Sequence, residues 1–317
     1  MKNKGLLYGV IGVLCLVAGF ASAKLIDGIA EKPTNIFKDN ANQKYTFRIE
    51  QLKDSISVVF PIRVEGEVDF AGQRVPLEDA EVAERLDREL QVNAYRHANT
   101  FSNMKLANRH FGTLERILRE EGVPDDFKFL ALIESDFRDV VSPSGAAGFW
   151  QFMPVTARQY GLEVNEFIDE RYHIEKATRA ACKYLKDAKL ELGSWTMAAA
   201  AYNTGINGMF NRAADQHSYN YYDLYLNQET SRYVFRILAM KIIFSNPKKA
   251  GYVFDDKDLY QPLKFNEVPV DTSIEDLAIF AKEQNLRYKD IKVLNTWIRS
   301  KSIPNKGKKV YNIKILQ

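Results

Sequence analysis

Apolar positions in the middle of the chain repeat with a helical period. Phe127, Leu130, Ala131, Glu134 and Phe137 fall at i, i+3, i+4, i+7 and i+10, which is one face of a helix. Pro124 suits its first turn, and Asp125 and Asp126 suit the positive end of its dipole. The pattern fades by Val141. Upstream, Leu77 to Glu121 is helical, with Leu86, Leu90, Phe101, Met104, Leu114 and Leu118 among many charges and Gly122 as the stop. Downstream, Ser142 to Met153 reads as a turn, a small-residue loop and an aromatic cluster. Pro154 opens a helix that Gly161 closes, and Glu175 to Leu192 forms another. Ser194 caps a helix from Trp195 to Tyr202, which Asn203-Thr204-Gly205 ends. Residues 228–245 are a further amphipathic helix, so residues 96–250 are mainly α.

The two ends differ from this middle. Ser55 to Pro76 alternates in places and predicts two short strands around Glu65-Gly66, or a loosely packed hairpin. Asn246-Pro247 breaks the last long helix, and the stretch that follows reads as linker. The tail runs strand, helix, helix, strand: Val268 to Val270, a face of Ile274, Leu277, Ala278 and Ala281, a second of Tyr288, Ile291 and Leu294, then Val310 to Leu316. At the other end, Lys2 and Lys4 precede an apolar run from Gly5 to Phe20 that finishes Ala21-Ser22-Ala23. That is the layout of a secretory signal peptide, and the run is also long enough for an uncleaved membrane anchor; either way the chain is exported. Cys15 follows Val13-Leu14, which does not suit lipidation.

The anomaly on the central stripe is Glu134. A carboxylate on an apolar face is costly unless it pairs or holds its proton, and the ordinary outcome is a residue at the stripe's edge tied to a cation. Asp136 and Asp139 stand at i+2 and i+5 from it, on other sides of the helix, and a distant acid such as Asp169 is not placed by the sequence. Other chemistry is sparse. His97, His110, His173 and His217 have no metal-ligand spacing, and neither a phosphate loop nor a dinucleotide fingerprint occurs. Cys182, on a stripe with Ala177, Ala181 and Leu185, suits core packing. The 317 residues suffice for about two domains, and a net charge of +3 with both signs interspersed does not argue for nucleic acid.

Four segments converge on one resemblance. IESDF, SPSGAAGFWQFMP, AAAAYNTG and ETSRYV occur in an order and spacing that resemble the goose-lysozyme-like lytic transglycosylases of bacterial cell walls, in the layout of the membrane-bound murein transglycosylase D type, over residues 96–245. The tail resembles a LysM module, with an Asn after its second helix, although the usual Gly-Asp turn reads Asp271-Thr272-Ser273. The implied fold is mainly α: a lysozyme-like, goose-type catalytic domain with a small N-terminal α/β region and a small C-terminal βααβ LysM-like module. The expected divisions are a signal peptide or anchor at 1–23, an accessory region at 24–95, a catalytic domain at 96–250, a linker at 251–266 and the module at 267–317.

The resemblance makes Glu134 the single catalytic acid and base in a non-hydrolytic cleavage of the MurNAc-GlcNAc β-1,4 bond that leaves 1,6-anhydro-MurNAc ends. It implies that Ser144 and Gln151 hydrogen-bond sugar groups or orient the cleft, with a close backbone approach at Gly145 and Gly148 and a sugar face against Met153. Tyr202 and Asn203 are expected over Glu134 with Tyr233 as the other wall, while Arg232 is expected in a structural ion pair and Trp150 in packing. No cofactor or metal is implied. The implied partner is the peptidoglycan glycan strand in a periplasmic or envelope setting, with room for envelope proteins and for membrane association through the N-terminal segment. Two other readings stand beside it: a hydrolytic muramidase on the same fold, and a non-catalytic peptidoglycan-binding scaffold.

Overall fold

The computed structural model describes residues 61–317. The signal or anchor segment, Cys15 and the accessory region up to residue 60 lie outside the described residues. Among those described, ten α-helices and two small antiparallel ribbons are present. The first ribbon pairs β1 (Asp69–Phe70) with β2 (Gln73–Arg74). Its turn is Ala71-Gly72, both at positive φ, and not the predicted Glu65-Gly66. Asp69 decides this: its carboxylate accepts from the Gly72 N–H, closing an Asx turn that the alternation had not revealed.

The helices follow their end signals. α1 (Ala80–Ala94) is capped by the Asp79 carboxylate, which accepts from the Glu81 and Val82 amides. The predicted helical stretch is in fact two helices, α1 and α2 (His97–Glu120). α3 (Phe127–Ser135) carries Glu134. Next come α4 (Pro154–Gln159), α5 (Ile174–Leu192) and α6 (Trp195–Thr204), the last capped by the Ser194 hydroxyl. α7 (Ile206–Asp215) was missed, because Gly205 ends one helix and begins the next. α8 is Gln228–Ser245. In α6, Ala198 to Ala201 are fully buried, and such small side chains let neighbouring helices approach closely. Phe70, Val82 and Leu86 share the core of Phe127, Leu130, Trp150, Val234 and Leu238, so residues 68–94 and the helices around α3 bury one continuous interior.

α3 ends earlier than its apolar pattern. Asp136 adopts the left-handed conformation at φ 52°, and its amide closes on the Leu132 carbonyl at 2.8 Å. Asn99 and Asn103 of α2 donate to its carboxylate at 3.2 and 2.6 Å. Phe137 therefore belongs to the turn and not to the helix, although it stays buried.

The segment read as linker lies along α2. The Tyr252 hydroxyl donates to the Ala94 carbonyl, and Asn108 and Arg109 donate to the carbonyls of Tyr260 and Gln261. The tail is βααβ: β3 (Phe265–Val270), α9 (Leu277–Glu283), α10 (Tyr288–Leu294) and β4 (Tyr311–Leu316), with Val268 opposite Ile313 and Pro269 opposite Asn312. Asn295 is fully buried; its amide accepts from the Lys314 N–H at 2.8 Å and donates to the Lys314 carbonyl at 2.7 Å. The tail's core includes Ala147, Ile168 and Tyr172 alongside Leu277, Trp297 and Ile298.

Candidate active site

Glu134 sits in the last turn of α3, half-buried. The Tyr233 hydroxyl from α8 donates to its Oε1. Burial raises the Glu134 pKa above the ordinary carboxylate value; the Tyr233 hydrogen bond and the Arg236 charge oppose that shift, and the Glu229 charge adds to it. A carboxyl so placed holds its proton to a higher pH than a solvated glutamate, which is what a general acid needs. Tyr233 itself is buried, and burial beside Glu134 keeps its phenol protonated, so it remains a donor.

The loop from Ser142 to Met153 is fastened at several points. The Ser135 hydroxyl, next to Glu134, donates to the Phe149 carbonyl at 3.0 Å. The Tyr202 hydroxyl donates to the Trp150 carbonyl at 2.8 Å, and the Trp150 indole donates to Thr178 at 2.9 Å. Trp150 is fully buried, which is the packing role expected of it. Gln151 stands at φ 46° and donates to the carbonyls of Gly148 and Val140. Gly148 is indispensable on geometry: a Cβ there would lie 1.9 Å from the Arg171 carbonyl oxygen. Ser144 and Met153 are exposed, and Gly145 has its carbonyl on the Arg171 guanidinium at 2.8 Å.

The structure thus brings Glu134 and Tyr233 into contact and sets Tyr202 within electrostatic reach of Glu134. Tyr202 holds the loop, not the carboxylate. Asn203 donates to Glu229 at 3.1 Å and accepts from Thr230 at 2.8 Å, so its amide is bound to the first turn of α8. Arg232 makes the expected ion pair, with the buried carboxylate of Glu89 at 2.5 Å. Asp136 is held by Asn99 and Asn103 and Asp169 by Arg171, so both carboxylates are engaged away from Glu134. Asp139 has Thr296 and Arg299 as its neighbours, and desolvation of its carboxyl raises its pKa. Cys182 is buried, its thiol pushed up to about 12 by burial.

Two residues escaped the sequence reading. Glu229 is the acid whose charge reaches Glu134; its place in ETSRYV was visible but its direction depends on α8 crossing α3. Arg236, one turn beyond Arg232, donates to the Ile133 carbonyl at 3.3 Å and its charge also reaches Glu134. Both line a cavity of about 260 Å³ that also touches Arg96 and Arg232.

Comparison with known proteins gives two family matches and curated relatives. The family described as "Transglycosylase SLT domain" matches residues 114–224, a span holding Glu134, the Ser142–Met153 loop, Tyr202 and Asn203. The chain carries a transglycosylase SLT domain. Tyr233 lies just past the matched span of that domain. The "Soluble lytic transglycosylase C-terminal LysM-like domain" matches residues 266–316, the βααβ tail. "Membrane-bound lytic murein transglycosylase D" of Escherichia coli (strain K12) is 26% identical over 236 residues, which is 73% of this chain and 51% of that protein. The protein of the same name from Escherichia coli O6:H1 matches equally. The chain therefore spans about half the length of the curated relatives it matches. Among the described residues, no helix is long and apolar enough to cross a membrane.

Proposed function

We propose that the chain is a lytic transglycosylase of peptidoglycan, with residues 96–250 as its catalytic domain and Glu134 as the single acid and base. The observation that carries this reading is the Glu134 carboxyl: half-buried, with a raised pKa, beside the fastened loop of an SLT domain. In the first step Glu134 gives its proton to the glycosidic oxygen between MurNAc and GlcNAc, and the C1–O bond breaks. The oxocarbenium-like centre is stabilised by the substrate's own N-acetyl group. Glu134, now the base, takes the proton from the MurNAc C6 hydroxyl as that oxygen bonds to C1. The products are a GlcNAc hydroxyl and a 1,6-anhydro ring, with no water consumed and the proton back on Glu134.

Roles for the neighbours follow. Tyr233 orients the carboxylate; Ser144, Gly145, Gln151 and Met153 line the glycan's path; Tyr202 and Asn203 hold the loop and α8 beside it. The implied setting is the cell envelope, reached through the N-terminal segment as export signal or anchor, and the implied partner is the glycan strand.

A hydrolytic muramidase has one observation in its favour. Glycosidases use two carboxylates, and Glu229 is an exposed second acid whose charge reaches Glu134. Mass spectrometry of muropeptides released from intact peptidoglycan separates the two. Ends lighter by one water are expected; reducing ends would establish hydrolysis and make Glu229 the acid to replace next. Glu134→Gln should lower turnover by a factor of about 10²–10⁴ or more with the fold intact, and full activity in that variant would remove Glu134 from the mechanism.

A further inference from the structure

The LysM-like tail is built into the support of the candidate active site. Three hydrogen bonds join it to the segment before α5: Asp169 N–H to the Trp297 carbonyl at 2.8 Å, Arg299 N–H to the Phe167 carbonyl at 2.8 Å, and the Thr296 hydroxyl to the Tyr172 carbonyl at 3.2 Å. Ile168 and Ile298 face each other across this bridge, both buried, and the Arg299 guanidinium stacks 4.3 Å from the Tyr172 ring centre. Lys309 reaches Glu163 at 2.6 Å and Glu170 at 3.3 Å, and Lys314 reaches Glu175 at 2.5 Å.

The same segment grips the loop. Arg171, almost fully buried, forms a two-pronged pair with Asp169 at 2.9 and 2.7 Å. Its remaining arm donates to the carbonyls of Gly145 at 2.8 Å and Phe152 at 3.0 Å, at the two ends of the loop. The Arg171 carbonyl lies against Gly148 in the loop's middle, and Ala147 is part of the tail's own core. A fixed guanidinium fork holding two carbonyls gives the loop one geometry, and that fork is aimed by Asp169, whose amide is held by the tail.

We infer that the C-terminal module is a positioning element for the candidate active site, acting on the Gly145–Phe152 loop through Asp169 and Arg171, the latter as the positioning residue. This goes beyond glycan binding by the module and rests on the proposed transglycosylase chemistry for its kinetic consequence only. A module that merely tethers glycan would affect KM on polymer. A module that positions the loop affects kcat on any substrate, however short.

The test uses the full chain and three variants. Ile298→Ala loosens the bridge from the module side, Arg299→Ala removes an exposed contact without opening the core, and Arg171→Lys keeps the charge but loses the fork. Hydrogen exchange of the Gly145–Phe152 amides should speed up in each, by about tenfold in Ile298→Ala and Arg171→Lys, with the Glu134 helix still protected. On a soluble disaccharide-repeat dimer, kcat should fall about tenfold in those two and two- to threefold in Arg299→Ala, with KM unchanged. Unchanged loop exchange together with unchanged kcat on the dimer, and a raised KM on intact peptidoglycan, would overturn the inference in favour of a tether. Faster loop exchange in a chain with no turnover at all would sustain the positioning role while rejecting the proposed chemistry. Arg299→Ala covers the case in which Ile298→Ala fails to fold.

Discussion

Glu134 and Tyr233 form the smallest unit with a consequence of its own. Burial raises the Glu134 pKa and the Tyr233 hydroxyl opposes it by binding the charged form. As the first step needs the protonated acid, kcat/KM should fall as pH rises through that raised pKa, above the range of a solvated glutamate. Tyr233→Phe removes the donor that favours the charge. The descending limb of the pH profile should then move to higher pH, and kcat should drop roughly tenfold because the carboxyl is less well oriented. A pH-rate profile of the variant that keeps the parent's limb would show that the contact has no bearing on the acid. The sequence disclosed Glu134 because a charged residue on an apolar stripe is costly and therefore conspicuous. It did not disclose the direction of Asn203, expected over Glu134 and found on Glu229 and Thr230. Those partners arrive on α8, and their approach is set by packing between helices.

Elements differ in how openly they announce their ends. Gly193, Ser194 and Gly205 mark the joins of α5, α6 and α7 by local backbone chemistry, and Ser194 as the start of α6 and Gly205 as its end were legible from that alone. The end of α3 was not, because Asp136 is held in its left-handed conformation by Asn99 and Asn103 from another helix. The loop after it poses a sharper comparison. Gly145 and Gly148 are both at positive φ, but only Gly148 has backbone where a Cβ would go. Gly145→Ala should cost about 1 kcal/mol, the strain of a left-handed alanine. Gly148→Ala should cost about 2–4 kcal/mol, since the backbone at Arg171 must also move. Denaturant unfolding of the two variants measures the difference, and equal losses would mean that the Arg171 segment yields without resistance. The repeat of small residues was readable in the sequence; which glycine faces backbone was not.

Across the whole molecule, α2 connects the site to the rest through His110. Its ring packs edge-on to Phe149 at 4.9 Å and beside Phe137 at 5.8 Å. Burial pushes its pKa down to about 4. The folded pKa is below that of a free imidazole, so the unfolded chain binds more protons between the two values. The associated stability is whole above about pH 6.5 and is lost as pH falls toward 4, at a cost of about 2–3 kcal/mol. His110→Gln should flatten that part of the profile of thermal unfolding against pH, and an unchanged acid limb would assign the loss to other groups. The sequence revealed the helical middle and the βααβ tail, each from its own periodicity. How the tail docks was hidden, because its contacts to Glu163, Ile168 and Tyr172 join segments more than a hundred residues apart.

Asn295 has one more consequence, for the company the chain keeps. A ribbon of two strands leaves both outer edges open to a strand from another molecule, a common route to sticky assembly. On β4 the outward amide and carbonyl of Lys314 are already taken by Asn295. In an antiparallel ladder outward-facing groups recur at every second residue, so opposite Lys314 and Asn312 the outward positions of β3 are Glu267 and Pro269. One carries a charge and the other has no N–H to give. A side chain occupies the middle of one margin and a proline with a glutamate blunts the other, which suits a small sheet to a crowded solution without adding strands.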